Sequence, residues 1–270
     1  MFTKKREAFS LVEVLVVISV TALLMAILMP VLAAASSQAR SAVCRSNLRQ
    51  LVLANIGYTA ENAGFFVPAA SDLWNNSGYH RWHGVRDSLN EPFDPLRGPL
   101  VRYLADGKVK QCPQRVEFVT GQDWDINFEQ GCGGYGYNMP YLGSRLWQSG
   151  YSYGDEEAYT RTTRFSEVAR PGETLMFADT AFYQHNQYMI EYSFAEPRFW
   201  IFNGQLLTNS YPLPSIHFRH KGRTHVGWVD GHVGSRPMGD FYSENSFYTT
   251  FAEMNLGWFE PIDNTPFDLK

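Results

Sequence analysis

Residues 1–35 read MFTKKREAFSLVEVLVVISVTALLMAILMPVLAAA, and this stretch decides how the rest of the chain is interpreted. Lys4, Lys5 and Arg6 form a short basic head, and an apolar run follows from residue 9 to residue 35. An apolar helix of about 20 residues is long enough to span a bilayer. A basic flank favours the cytoplasmic side. The sequence therefore predicts one membrane-spanning helix whose N-terminus stays in the cytoplasm.

Two residues, Glu13 and Pro30, interrupt the apolar run. A carboxylate in such a segment costs roughly 2.5–3.5 kcal/mol on insertion scales, so Glu13 needs a functional reason to be there. Pro30 removes one backbone hydrogen bond and is expected to bend the helix without ending it. A secretory signal cleaved after Ala33–Ala35 and a plain single-pass anchor are alternatives. A plain anchor gives no reason for Glu13, and a secretory signal has a shorter apolar region than this one.

Residues 9–13, FSLVE, directly after the basic head, resemble the leader of type IV prepilins and type II secretion pseudopilins. The resemblance implies that a prepilin peptidase cuts between Ala8 and Phe9 and methylates the new N-terminus. It implies that Glu13 pairs with the N-terminal amine of a neighbouring subunit, which would compensate a buried charge. Pro30 falls where the family carries a helix-bending proline. Ala8 replaces the usual glycine, and because alanine is the next smallest residue, cleavage is expected to persist at a lower rate.

The helical pattern continues past the apolar run to about Tyr58. Apolar residues recur there at steps of three and four, the spacing of one helix face: Cys44, Leu48, Leu51, Val52 and Ile56. A continuous helix from Phe9 to Tyr58 would be roughly 75 Å long. The segment from Cys44 to Leu51, CRSNLRQL, also resembles a subset of prepilin-like proteins with C-x-x-N-L-R-Q-L at this place.

The amino-acid composition limits which structures and partners fit the part of the chain that follows the N-terminal helix. The net charge of −4 gives no basic excess, so no nucleic-acid partner is predicted. The 14 prolines, 22 glycines and an aromatic fraction of 15% indicate turn-rich β structure. The chain has three cysteines. Outside the cytoplasm, Cys112 and Cys132 either pair as a disulfide or remain two buried thiols, and Cys44 is expected to be a small buried hydrophobe.

The C-terminal half has strand and hairpin patterns. The apolar run 174–178, ending at Asp179, suits a buried strand. Asn203-Gly204 lies between two apolar segments and predicts a hairpin with a type I′ turn. Asp230-Gly231 predicts a second hairpin over residues 224–233. Residues 99–104 are expected to form one short helix that begins at a proline.

These patterns predict an α+β fold, with a long N-terminal helix followed by a head that contains an antiparallel sheet, as in pilins. The expected boundaries are a cytoplasmic leader at 1–8, a transmembrane or filament-core helix at 9–35, its amphipathic continuation at 36–60 and an extracytoplasmic head at 61–270.

The stretch around His220 contains most of the residues that suggest a metal site. His220 and Asp230-Gly231 form an H-x9-D-G pattern near the C-terminus, which resembles a signature of the same prepilin-like subset. Histidine and carboxylate are common ligands of zinc and related ions, so a metal ion at His220 and Asp230, with His232 or Asp179 nearby, is one interpretation. The alternative is a turn at Asp230-Gly231 with His220 in a hydrogen bond. No cofactor is otherwise predicted, and no catalytic motif is present.

The sequence therefore favours a structural, non-enzymatic prepilin-like subunit. It would be processed by a prepilin peptidase and would assemble with other pilin-like subunits into a pseudopilus or pilus-like filament linked to type II secretion. The expected location is the inner membrane, single-pass, with the head periplasmic or extracellular after assembly. The rival hypothesis is a membrane-anchored surface-binding protein whose aromatic-rich head recognises a glycan or another polymer. That rival requires several exposed aromatic side chains on one surface.

Overall fold

The structure, a computed structural model, describes residues 10–114, 116, 118–119, 128–151, 154–184, 188–210, 212–243 and 248–270. The chain divides into two compact units, Met1–Arg40 and Ser41–Lys270. The expected limits of the leader, the membrane segment and the head remain predictions.

Helix α1 spans Leu11–Glu61 and contributes residues to both units. It begins with a side-chain cap, because the backbone N–H of Val12 donates to Ser10 Oγ at 3.2 Å and the backbone N–H of Ser10 donates to Glu13 Oε2 at 2.8 Å. Pro30 lies inside the helix without ending it, as predicted. The sequence expectation of one long helix is confirmed over the described residues.

Within the N-terminal unit, the apolar side chains of α1 are exposed on every side of the helix. The large exposed apolar side chains between Leu11 and Leu32 have exposed fractions from 48% to 84%. Among the described residues, α1 is the one helix whose length and apolar composition would allow it to cross a membrane. This feature fits a single-pass membrane anchor.

Within the C-terminal unit, α1 presents one buried face to the core. Its buried residues are Cys44, Asn47, Leu48, Leu51, Val52, Ala54, Asn55 and Thr59. Arg45 and Arg49 lie on the exposed side. The face predicted from the three- and four-residue spacing is therefore the face that packs, with Ile56 half-buried at its edge.

The centre of the C-terminal unit is a four-stranded antiparallel sheet with the order β11-β10-β4-β3. Its strands are β3 (Tyr135–Tyr137), β4 (Leu175–Asp179), β10 (Arg223–Trp228) and β11 (Val233–Pro237). Strand β4 is buried along its whole length, as its continuous apolar run predicted. The register pairs Asp179 with Tyr135 and Val226 with Ala178.

Eight further strands form small antiparallel pairs among the described residues. They are β1 (His80–Arg81), β2 (Gly84–Val85), β5 (Phe182–Tyr183), β6 (Met189–Ile190), β7 (Trp200–Phe202), β8 (Gln205–Leu207), β9 (Ile216–His217) and β12 (Leu256–Gly257). Both predicted hairpins are present. In the β7–β8 turn, Asn203 and Gly204 have φ angles of 48° and 71°, the positive pair that a type I′ turn requires.

Short helices connect these strands: α2 (Leu146–Ser149), α3 (Glu156–Thr160) and α4 (Thr249–Glu253), with 3₁₀ turns at Leu73–Asn75, Pro95–Arg97, Val101–Tyr103 and Phe165–Glu167. The helix expected at 99–104 is the 3₁₀ turn Val101–Tyr103. So short a segment cannot offset the cost of nucleating an α-helix.

The buried face of α1 lies close to β10. A Cβ atom placed on Gly227 would lie 2.5 Å from Cγ2 of Val52, so this position of the strand needs glycine for the helix to pack. Leu48, Val52, Phe177 and Val226 belong to one continuous hydrophobic core. The fold is α+β, with a long N-terminal helix followed by antiparallel sheets, the pilin-like organisation that was predicted.

Candidate functional site

Four buried side chains from distant parts of the chain meet beside the buried face of α1. They are Cys44 on α1, Cys112 in the segment before β3, Asp179 at the end of β4 and His220 before β10. Their ligand-type atoms all lie within 4.8 Å of one another. We refer to these four residues as the buried polar cluster.

Asp179 is the centre of the contacts in the buried polar cluster. Its Oδ1 accepts a hydrogen bond from Cys44 Sγ at 3.2 Å, and its Oδ2 lies 3.3 Å from His220 Nε2. Nε2 of His220 also lies 3.6 Å from Cys112 Sγ. The side chains of Asp179 and His220 are 0% and 4% exposed, so the cluster is closed to solvent.

Neighbouring groups donate hydrogen bonds to the cluster. The backbone N–H of His225 donates to Asp179 Oδ2 at 2.8 Å, and the Tyr135 hydroxyl donates to Cys44 Sγ at 3.4 Å. The ring of His225 packs on that of His220 with a centroid distance of 4.1 Å, and its Nε2 lies 2.8 Å from Ser41 Oγ. These contacts fix the orientation of the cluster side chains.

A tight turn places His220. His220 and Arg223 exchange two backbone hydrogen bonds of 3.0 and 3.3 Å across Lys221 and Gly222. Lys221 and Gly222 have φ angles of 56° and 74°, so the turn has the two positive φ values of type I′. The His220 ring is therefore held at the start of β10, next to the end of the adjacent strand β4.

A close approach between two segments places Cys112. Its backbone N–H donates to the Gly133 carbonyl at 3.0 Å, and Asn47 Nδ2 of α1 donates to the Gln111 carbonyl at 3.2 Å. Gly133 has a φ of 70°, and a Cβ atom there would lie 2.7 Å from the Lys110 carbonyl oxygen. Glycine at 133 thus lets residues 110–112 lie against the chain at Gly133 and beside α1.

The four side chains of the cluster shift one another's pKa values, some upward and some downward. Burial alone would raise the pKa of Asp179, but the hydrogen bond with His220 and the charge of Arg219 lower it to about 2. Burial opposes the charged form of His220, but its contacts with Asp179 and Cys112 raise its pKa to about 9. A hydrogen bond with Cys44 lowers the pKa of Cys112 to about 5, against burial and with the help of His220. Burial raises the pKa of the Cys44 thiol.

The interpretation in which His220 meets Asp230 is wrong, and the structure has the alternative, a turn at Asp230-Gly231 with His220 in a hydrogen bond. His220 contacts Asp179, whereas Asp230 Oδ1 lies 2.6 Å from Nδ1 of His232 in an exposed pair. The reason is geometric: His220 precedes β10 and Asp230 follows it, so the strand separates them by roughly 20 Å at about 3.3 Å per residue. Asp230 and Gly231 form the turn after β10, where Gly231 has a φ of 97°.

All three cysteines are free and buried in the structure. Cys112 Sγ faces His220, whereas Cys132 Sγ lies 4.0 Å from Glu191 Oε2. Of the two alternatives for Cys112 and Cys132, the structure has two free thiols rather than a disulfide. Cys44 is buried as expected, but it is a hydrogen-bonding member of the cluster rather than only an apolar residue.

The residues expected to act in processing lie at the start of the chain. Ala8 and Phe9 are outside the described residues. Glu13 lies in the first turn of α1, where its carboxylate accepts the Ser10 N–H. The roles assigned to Ala8, Phe9 and Glu13 in cleavage and assembly stay predictions.

The aromatic side chains are mainly core residues. Of four tryptophans that an aromatic binding platform would use, Trp82 is fully buried, Trp74 and Trp147 are half-buried, and Trp200 is 49% exposed. These four side chains do not form the exposed aromatic surface that the polymer-binding hypothesis requires.

Residues 3–29 match the family model described as the prokaryotic N-terminal methylation motif. Neither the curated proteins nor the solved structures gave a match to the chain. The matched motif, together with the long apolar helix, is consistent with a type IV prepilin-like protein, a class of structural subunits rather than enzymes. The motif covers the N-terminal segment and does not extend into the C-terminal unit.

Sequence patterns indicated each of the four residues separately and named Asp179 as a possible neighbour of His220, but they did not connect Cys44 or Cys112 with that pair. Cys44 and Asp179 are 135 positions apart, and Cys112 and His220 are 108 apart. No local spacing connects residues so far apart, so only the tertiary fold shows that they meet.

Proposed function

We propose that this chain is a structural prepilin-like subunit. A prepilin peptidase would cut it between Ala8 and Phe9, and other pilin-like subunits would pack against its apolar helix in a pseudopilus or pilus-like filament linked to type II secretion. Before assembly the protein would be an inner-membrane single-pass protein, with its N-terminus in the cytoplasm and its head in the periplasm.

The exposure of the apolar half of α1 is the observation that carries this proposal. A helix that is apolar on all sides is stable when lipid or other helices cover it, and burying apolar surface contributes about 25 cal/mol per Å². Side chains from Leu11 to Leu32 are exposed around the whole helix within their own unit. Lipid would cover the apolar surface of this segment before assembly, and neighbouring helices would cover it in the filament.

Glu13 supports the same role. Its carboxylate caps the start of α1 through the Ser10 N–H. Cleavage before Phe9 would create a positively charged amine four residues from Glu13, close to the N-terminal end of the helix, where a carboxylate is also favoured by the helix dipole. A neighbouring subunit's N-terminal amine would be an equally suitable partner for this carboxylate in an apolar environment.

Filament incorporation of matched variants in the host tests the proposal. Glu13→Gln should be cut and methylated at Phe9 but should be missing from the sheared filament fraction, because the amine loses its charged partner. Glu61→Gln is the control, since it makes the same change at the other end of α1, where Glu61 accepts from the Tyr103 hydroxyl. The proposal fails if the parent chain is absent from filaments, or if Glu13→Gln assembles as well as Glu61→Gln.

A further inference from the structure

We propose that the buried polar cluster is a structural metal site that binds one zinc-class divalent ion in tetrahedral geometry through Cys44, Cys112, Asp179 and His220. The inference concerns the C-terminal unit and does not depend on the proposed processing or assembly.

The spacing of the four side chains suits a tetrahedral ion. Zinc bonds of about 2.3 Å to sulfur and about 2.0–2.1 Å to nitrogen and oxygen give ligand-to-ligand distances of roughly 3.3–3.8 Å. Cys44 Sγ lies 3.2 Å from Oδ1 of Asp179, and His220 Nε2 lies 3.3 Å from Oδ2 of Asp179 and 3.6 Å from Cys112 Sγ. One ligand atom from each of the four residues lies within 4.8 Å of the other three. Small side-chain adjustments would therefore place all four atoms at the corners of one coordination tetrahedron.

The donor chemistry also suits this ion. Two cysteine sulfurs, one imidazole nitrogen and one carboxylate oxygen are ligand types that zinc accepts, and sulfur-rich tetrahedral sites favour zinc over magnesium or calcium. When the ion binds, it forms four metal–ligand bonds, and the Cys44 thiol proton and the His220 ring proton leave to solvent. Three anionic ligands and one divalent ion leave a net charge of −1, which the nearby Arg219 guanidinium opposes.

Outer contacts hold the anionic ligands in place. The Tyr135 hydroxyl donates to Cys44 Sγ and the His225 N–H donates to Asp179 Oδ2. Such second-shell donors orient metal ligands and tune their affinity. All four ligand residues are buried, so four protein atoms would complete the coordination with no open position for water. A closed site of this kind is structural rather than catalytic.

The site would tie together segments that are far apart in sequence. Cys44 belongs to α1, Cys112 to the segment before β3, Asp179 to β4 and His220 to the turn before β10. An ion bonded to all four would cross-link the lower part of α1 to the central sheet. Because the unfolded chain lacks a preformed site, most of the binding free energy would appear as stability of the folded unit.

Metal analysis of the purified full-length chain in detergent tests the inference. Elemental analysis after expression in zinc-containing medium should give one zinc ion per chain, and Cys112→Ser and His220→Gln should lose it. Cys132→Ser is the matched control, because Cys132 is an equally buried free thiol outside the cluster. It should keep the full zinc content.

Two further measurements keep the test decisive if a cluster variant folds poorly. Cobalt added to the metal-free parent chain should produce the visible and near-ultraviolet bands of tetrahedral thiolate coordination, and Cys132→Ser should produce the same bands. Zinc added to the same metal-free chain should raise its thermal midpoint. Absence of zinc and of the cobalt bands in the parent chain would overturn the inference. So would an intact mass that shows a Cys44–Cys112 disulfide, or equal zinc content in Cys112→Ser and the parent.

Discussion

Nε2 of His220 lies 3.3 Å from Oδ2 of Asp179, and both side chains are almost fully buried. Asp230, another candidate partner of His220 in the sequence, instead forms an exposed pair with His232. One histidine–carboxylate pair therefore lies in the core and another on the surface of the same sheet. The two pairs provide an internal comparison of what burial adds to the same interaction.

In the metal-free chain, Asp179→Asn is expected to lower the free energy of unfolding by about 3–5 kcal/mol, because it leaves His220 without its charged partner in the core. Asp230→Asn should change the free energy of unfolding by less than about 1 kcal/mol, because its pair is exposed and screened by water. Urea unfolding of the full-length chain in detergent, followed by tryptophan fluorescence, measures both. Equal effects of the two substitutions would contradict the account.

Gly227→Ala is expected to destabilise the C-terminal unit by about 1–3 kcal/mol, because the added Cβ would meet Val52 Cγ2 on the facing helix. Val52→Ala removes that methyl group, so the double variant should be more stable than the sum of the two single changes predicts. Thermal unfolding of the four chains measures the coupling. Strict additivity would show that α1 does not pack on β10 as described.

Tyr135→Phe is expected to weaken zinc binding about 10–100-fold, because it removes the hydroxyl that donates to Cys44 Sγ. Tyr137→Phe is its control, since Tyr137 lies on the same strand, is equally buried and stacks on Phe177 at 4.8 Å. Competition with a zinc-chelating dye measures the two affinities. The second-shell role of Tyr135 is refuted if the two variants bind zinc equally well.

His83 makes the stability of the C-terminal unit sensitive to acid. Burial, followed by the charges of Arg81 and Arg86, lowers the pKa of His83 well below its ordinary value of 6.5. The unfolded chain therefore binds a proton below about pH 6.5 that the folded chain does not, so stability falls as the pH is lowered through this range. This one proton contributes up to about 1.4 kcal/mol per pH unit to the slope of the free energy of unfolding against pH.

His83→Gln should remove this contribution, so its free energy of unfolding should fall less steeply than that of the parent chain between about pH 6.5 and pH 5. The comparison is between slopes, because loss of the hydrogen bond between His83 Nε2 and Ser193 Oγ lowers stability at every pH. Two parallel pH profiles would show that His83 is not the responsible group.

The local patterns of the sequence predicted the elements whose structure is determined by residues close together in the sequence. Apolar continuity predicted α1 and the buried strand β4, and Asn203-Gly204 predicted the β7–β8 hairpin. The Lys221-Gly222 turn that positions His220 was not predicted, because lysine rarely adopts a positive φ and gives no turn signal. The two-residue strands, such as β1 and β9, are too short to show an alternating pattern.

The sequence predicted some residues of the candidate metal site but not how they come together. His220 was singled out and Asp179 was named as a possible neighbour, but the partner considered first was Asp230, ten positions away, because a hairpin could fold these two residues together. Asp179 instead reaches His220 through the pairing of β4 with β10, and Cys44 reaches Asp179 through the packing of α1 on the sheet. Both contacts depend on long-range pairing, which one sequence does not reveal.

The mass of the N-terminal peptide, from the chain expressed with and without a prepilin peptidase, tests the central proposal most directly. The expected result is an N-methylated peptide that begins at Phe9 and appears only with the active peptidase. Ala8→Gly should give the same peptide with faster processing, because it restores the residue usual before the cut. A chain that begins at Met1 in the presence of the peptidase, or one cut after Ala35, would contradict the proposed function.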